Sequence, residues 1–186
     1  MKAEKTMSWQ IDPSHSQITF SIRHMMVTNV RGNFDKFSGE VKFDEKNLAQ
    51  GEVDVTIDVA SVNTRDEKRD GHLKSPDFFD VATYPTMIFK SKKINLVADK
   101  KGTIIGDLTI KGVTHEVKLE AELVGVAKNP FGATMAGFNA STKINRKDWN
   151  LGWNVALEAG GVLVGEDVTI HIELELTHVP EAVATA

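Results

Sequence analysis

Asp70, His72, Asp77 and Asp80 fall within eleven residues, in the run DGHLKSPDFFD. Three carboxylates and an imidazole so close in sequence could serve acid–base catalysis or hold a metal ion. The same run carries Pro76 and the adjacent Phe78 and Phe79, which neither chemistry requires. The spacing matches no ligand pattern with a mechanism, and Pro76 keeps one regular helix from presenting all four groups. The architectural reading is the stronger: Asp77 turns or caps the chain, and the two phenylalanines drive a crossover segment into an apolar end of the fold. Its basic side chains remain free to meet an anion.

Other reactive constellations are weaker. Ser14 and Ser16 flank His15, but neighbours in a strand or turn make no nucleophile–base pair, and no G-x-S-x-G occurs. No glycine-rich loop opens a helix, so nucleotide binding has no support. Cysteine is absent, which removes disulfides, thiol nucleophiles and thiolate metal ligands. His15 and His115 sit in turn-like contexts that suit bonding to backbone groups. The expectation is therefore no catalytic residue, no metal and no cofactor. A net charge of -4, from 26 acids and 22 bases, argues against a nucleic-acid partner. The opening MKAEKTMSWQ lacks the apolar core of a signal peptide, and no later segment could span a bilayer. A cytoplasmic location without stable membrane insertion is expected, or a periplasmic one had a leader been removed.

The elements that position these residues are strands. ITFSI puts Ile18, Phe20 and Ile22 on one face, and FSGEVKF does the same with Phe37, Val41 and Phe43. EVDVTIDV alternates Val53, Val55, Ile57 and Val59 with polar residues; VKLEAEL sets Val117, Leu119, Ala121 and Leu123 against charges; TIHIELEL does so with Ile170, Ile172, Leu174 and Leu176. Less regular strands lie near 86–97, 103–110 and 133–144. About eight strands, each with one apolar and one wet face, carry an antiparallel signature. Turn signals separate them at Asp99-Lys100-Lys101-Gly102, Lys111-Gly112, Asn129-Pro130 and Gly160-Gly161. Long, sequentially paired strands favour closure into a barrel over a sandwich. One domain is expected over residues 1–186, with the barrel at about 8–178, a short flexible N-terminus and a mobile tail PEAVATA. The pattern breaks only at about 64–80, where a short helical crossover should span one end.

An eight-stranded barrel is just wide enough to be filled by side chains or to hold one slender ligand. Alternation leaves both readings open, a packed core or an apolar tube.

Five stretches, IDPSHSQITFSIRHMMVTNVRGNFDKFSGEVKFD, DGHLKSPDFFDVATYPTMIFKS, GDLTIKGVTHEVKLEAEL, INRKDW and LEAGGVLVGEDVTIHIELEL, together resemble the YceI-like family of polyisoprenoid-binding proteins, from about Trp9 to Leu176. The resemblance implies an all-β, eight-stranded antiparallel, lipocalin-like barrel with an apolar tunnel for a long amphiphile. One departure is Trp149-Asn150 after RKD, where an aromatic followed by glycine is expected. The candidate ligand contacts are Phe20, Ile22, His24, Met26, Phe34, Val55, Ile57, His72, Phe78, Phe79, Phe89, Met135, Phe138, Trp149 and Trp153. His24 continues the inward set of Ile18, Phe20 and Ile22, as a core histidine or a contact for the head. Arg31 and Arg146, read as lying on turns, are the candidate head-group cations, since arginine matches phosphate and carboxylate bidentately. The expected function is a carrier, storage or sequestering protein for a polyisoprenoid, an isoprenoid quinone precursor or a fatty amphiphile. The alternatives are a homodimeric, stress-related or protein-interaction module without a dedicated ligand, and an isoprenoid-modifying enzyme. A forty-carbon chain would gain on the order of 12 kcal/mol, about nanomolar affinity.

Overall fold

Residues 7–178 are described by a computed structural model of the protein, and the segments 1–6 and 179–186, including the tail PEAVATA, lie outside the described residues. Eleven strands form: β1 Met7–Ile11, β2 Gln17–His24, β3 Thr28–Phe34, β4 Phe37–Phe43, β5 Glu52–Asp58, β6 Val62–Asn63, β7 Thr86–Ala98, β8 Lys101–Ile110, β9 Val113–Lys128, β10 Thr134–Asn145 and β11 Val164–His178. The one α-helix among the described residues, α1, spans Glu67–Lys74.

Eleven strands make eight staves. β1, β4, β5, β7, β8, β9, β10 and β11 pair in that order, every pair antiparallel, and β1 closes the ring on β11 through Ile11↔Leu176 and Trp9↔His178. β2, β3 and β6 continue the first three staves past a kink, with β2 on the other half of β11, β3 on β2 and β6 on β3. The kinks lie side by side. Pro13–His15 forms a 3-10 turn, because proline has no N–H for a ladder. Asp35 and Lys36 break the second stave, and Val59–Ser61 turns the third. Hydrogen bonds stitch them: Lys36 N donates to Ser61 Oγ at 3.0 Å, and Asp58 N to Lys36 O at 2.9 Å. Such a row of irregularities lets a sheet bend sharply enough to close.

The alternation settles the faces as expected. Trp9, Val41, Phe43, Leu119, Leu123 and Leu176 are buried inside, while Lys90–Asp54, Lys92–Glu116 and Lys143–Asp167 pair outside. These exposed pairs add little stability individually. Lys111-Gly112 is the tight hairpin expected, with φ of 48 and 73°. A Cβ on Gly112 would lie 2.7 Å from Tyr84 Cε1, so that turn also seats the crossover. The β7–β8 turn is shorter than the sequence run, since Ala98 already pairs with Lys101. The crossover is helical only over α1, and tight turns carry it on to β7.

An apolar cavity through the barrel as candidate binding site

The inward side chains do not fill the barrel. A cavity of about 560 Å³ remains, walled by Phe20, Ile22, Val55, Ile57, Phe89 and Phe138 with aliphatic neighbours. Small residues account for part of the space: Ala121 and Ala140 face each other in register, and both lie on the wall. The cavity reaches both ends of the barrel. Lys42, Glu52, Lys100 and Glu122 rim it near the β7–β8 turn, and Arg23, Asp66, Lys68 and Arg69 rim it near α1.

At the α1 end the charged stretch is architecture. Asp66 caps the helix by accepting from Arg69 N at 3.0 Å. Asp70 accepts from Thr64 N at 2.9 Å and from Thr64 Oγ1 at 2.6 Å, while Arg69 Nε and Nη2 donate to Thr64 Oγ1 and O, each at 2.8 Å. His72 Nε2 lies 2.9 Å from Asp77 Oδ2. The His72 ring meets Trp153 and Phe78 edge-on, with centroids 4.6 and 5.1 Å apart. Phe79 stands edge-on to Phe34, which leans on Phe20. The four polar groups do not converge. The stretch is a plug whose apolar side forms part of the cavity wall.

Arg146 opens the turn after β10 and is buried on the wall. Nε donates to Gly165 O at 2.7 Å, Nη2 to Val164 O at 3.3 Å and Nη1 to Leu151 O, with the Phe78 ring 6.0 Å from the guanidinium carbon. Burial lowers its pKa from the usual arginine value. It has no carboxylate at ion-pair distance among the described residues, so carbonyl dipoles and a ring face meet its charge directly, with Glu166 acting on it from farther away. Asn150 ends this turn at φ 59°, ψ 25°. That is the left-handed conformation glycine favours and asparagine tolerates, so the departure from the expected glycine leaves the backbone shape intact.

Phe20, Ile22, His24, Phe34, Val55, Ile57, His72, Phe78, Phe79, Phe89, Phe138, Trp153 and Arg146 all lie on the cavity wall. Four candidates do not, each for a physical reason. Arg31 is not on a turn but in β3 opposite Ser21, between inward Val30 and Gly32, so alternation sends it to solvent. Met26 is half-exposed at the tip of the β2–β3 turn, with φ 63°. Met135 leaves the wall and meets Thr177 Oγ1 at 3.6 Å. Trp149 is buried beneath the barrel end, where Nε1 donates to Leu108 O at 3.0 Å and His115 stands edge-on. Sequence reasoning missed Ala140, Leu163 and Val164. Ala140 had a signal in its size and inward phase; Leu163 sits in an irregular segment with no period to read.

A second polar cluster escaped the sequence. Asp12, His15 and Glu175 bring ligand-type atoms within 4.8 Å of one another, outside the cavity wall at the first kink. His15 Nδ1 lies 2.9 Å from Asp12 Oδ2 and 3.5 Å from Glu175 Oε1, so His15 meets carboxylates and not the backbone groups expected. Hydrogen bonds from Ser14 and His15 lower the Asp12 pKa from 3.8 to about 2. The bond to Asp12, with Glu175 nearby, raises that of His15 above 6.5. His115, by contrast, does bond backbone, with Nε2 2.9 Å from Asp148 O.

A closed antiparallel eight-stave barrel around an apolar cavity places the chain among lipocalin-like barrels. Residues 9–176 match the model of the YceI-like domain, and the chain belongs to that family. It is 37% identical to the UPF0312 protein SA2479 of Staphylococcus aureus strain N315, over 91% of this chain and 97% of that protein. Among solved structures it resembles BcnA of Burkholderia cenocepacia, with TM-score 0.77 and 32% identity over 89% of this chain and 98% of that one. It also resembles the Campylobacter jejuni YceI protein, with TM-score 0.72 and 36% identity over 85% and 90%. A polyisoprenoid binding domain from Saccharophagus degradans shares the fold at TM-score 0.67 and 17% identity, over 93% and 99%. No helix among the described residues is long and apolar enough to cross a membrane.

Proposed function

We propose that the protein binds a long apolar chain bearing a polar head, a polyisoprenoid or a fatty amphiphile, and carries, stores or sequesters it. The support is the cavity wall, which is mostly aliphatic and aromatic and charged only at its rims and at Arg146. An apolar chain removed from water there gains about 0.8 kcal/mol for each buried methylene. Among the described residues the lining carboxylates, Glu52, Asp66 and Glu122, stand at the rims and not in the interior, which favours binding over catalysis. A shared fold with a domain named for polyisoprenoid binding is consistent with this reading.

Cavity size refines the affinity expected from sequence. At about 30 Å³ for a methylene-sized group, the share of a water molecule in the liquid, 560 Å³ holds on the order of twenty carbons. At roughly 0.3 kcal/mol per atom these contribute about 6 kcal/mol, a dissociation constant between millimolar and micromolar. A forty-carbon chain would leave half its length outside, at a rim or beyond it. The decisive test is organic extraction of the purified protein followed by mass spectrometry. An apolar amphiphile that solvent removes and that rebinds is expected. Protein that is lipid-free and also fails to protect a fluorescent lipid probe would sink the proposal.

A further inference from the structure

The β2–β3 turn carries more apolar surface than a turn needs. Met25, Met26 and Val27 are 47, 54 and 76% exposed. Met25 and Met26 also adopt φ of 50 and 63°, a region that strains side chains such as methionine. Neither feature helps the barrel fold, and local strain of this kind concentrates at functional sites. The turn has neighbours of the same character. Met25 N donates to Leu163 O at 2.8 Å and Leu163 N to Val155 O at 2.9 Å, so Val155, 47% exposed, lies in the same row. Leu163 and His24 belong to the cavity wall, which makes this row the lip of the α1-end mouth.

Charge separates the two mouths. Near α1 the rim holds Arg23, Lys68 and Arg69 against Asp66, whereas near the β7–β8 turn Lys42 and Lys100 are matched by Glu52 and Glu122. Leu96 and Val97 are also exposed in β7 near that second mouth, where carboxylates match the rim cations. Among the charges that line the cavity, cations thus outnumber carboxylates beside one apolar lip.

We propose that Met25, Met26, Val27 and Val155 seat the α1-end mouth on an anionic lipid bilayer, so that ligand passes between membrane and cavity without crossing water. This rests on the lipid-binding reading and names where the ligand is exchanged. Apolar side chains entering the interface and cations meeting lipid phosphates are the two attractions that hold peripheral proteins on membranes. Charge chooses this occupant over a second copy of the chain, because two such mouths face to face would oppose positive rims.

Vesicle flotation of the full chain tests it, with phosphatidylcholine vesicles alone or containing phosphatidylglycerol. The double variant Met25→Asn/Met26→Gly supplies the residues that positive φ favours, so its Tm should hold or rise. The unmodified protein should float with the anionic vesicles and be released by salt. The variant should partition about tenfold less, yet bind farnesyl phosphate in solution as before. A variant that floats equally well, or an unmodified protein that ignores both vesicle types, would overturn the proposal. So would a dimer in solution that the variant splits while vesicle binding stays absent. Protein that floats but binds no farnesyl phosphate would refute the lipid-binding reading and leave the docking surface standing.

Discussion

Ala140→Leu separates an open tube from a packed core. Ala140 lies on the cavity wall directly opposite Ala121, where two small side chains leave room between them and the far staves. Leucine adds three carbons. If they enter open space, burial contributes about 0.8 kcal/mol each, offset by about 1 kcal/mol of lost side-chain freedom. The net gain is about 1.5 kcal/mol, which for a chain of this size raises Tm by about 3–6 °C. In a close-packed interior the same insertion costs about 1–3 kcal/mol and lowers Tm by several degrees. Ligand binding must move the other way. Three carbons of cavity lost are worth between about 1 and 2.4 kcal/mol, a roughly fivefold to sixtyfold weaker farnesyl phosphate. Heat denaturation of delipidated protein and a ligand titration measure the two effects. Lower stability with unchanged binding would refute the reasoning, since the side chain would then have found no space and blocked no ligand.

Two further outcomes follow from the polar groups. Arg146→Gln strands the Leu151 and Gly165 carbonyls, while Val164 O keeps its bond from Asn154 Nδ2, and should cost about 2–4 kcal/mol of stability, read by urea unfolding. If Arg146 also faces the head, the variant loses about tenfold for a prenyl phosphate but not for the matching alcohol, and equal losses assign it a structural role only. At the first kink, NMR titration should find His15 above its ordinary 6.5, and Asp12→Asn should bring it back down. The sign is fixed: the raised His15 pKa gives stability that is full below 6.5 and lost as pH rises through the folded value, while the lowered Asp12 pKa gives stability lost as pH falls from 3.8 toward 2. A His15 that titrates normally would remove the first effect and leave Asp12 only its bonds from Ser14.

Faces were legible because a period of two assigns every residue of a strand to one side. That is why Phe20, Ile22, Val55, Ile57 and Phe138 all reached the wall. The kinks were not legible. Val59 continues the alternation of its strand and is 1% exposed, yet it already lies in a 3-10 turn, because the break depends on Lys36 and Ser61 from two different staves. Arg31 misled for a related reason. Its glycine neighbour made V-R-G read as a turn, whereas Gly32 is a strand residue that makes room for Phe20, whose Cζ would stand 2.5 Å from any Cβ there. Trp149 and Met135 show the remaining limit, since an apolar residue type says that a side chain seeks burial and not which apolar volume receives it.

Whether the interior was full or hollow could not be read at all, because alternation carries direction without volume. Closure sets the volume through stave number and tilt, and the inward residues then fill what they can. Here Ala121 and Ala140 fall short of filling it. The same closure makes the two ends chemically unequal: the β4–β5, β7–β8 and β9–β10 connections at one, the crossover, the strained methionine turn and Arg146 at the other. An amphiphile entering such a tube would therefore be oriented by its host. An anionic head would favour the α1 mouth, where the cavity-lining cations outnumber carboxylates, and its tail would point toward the β7–β8 turn, where the rim charges cancel. Orientation of this kind needs no tight head-group clamp, because a few kcal/mol between the two mouths is enough to fix one direction in more than ninety per cent of complexes.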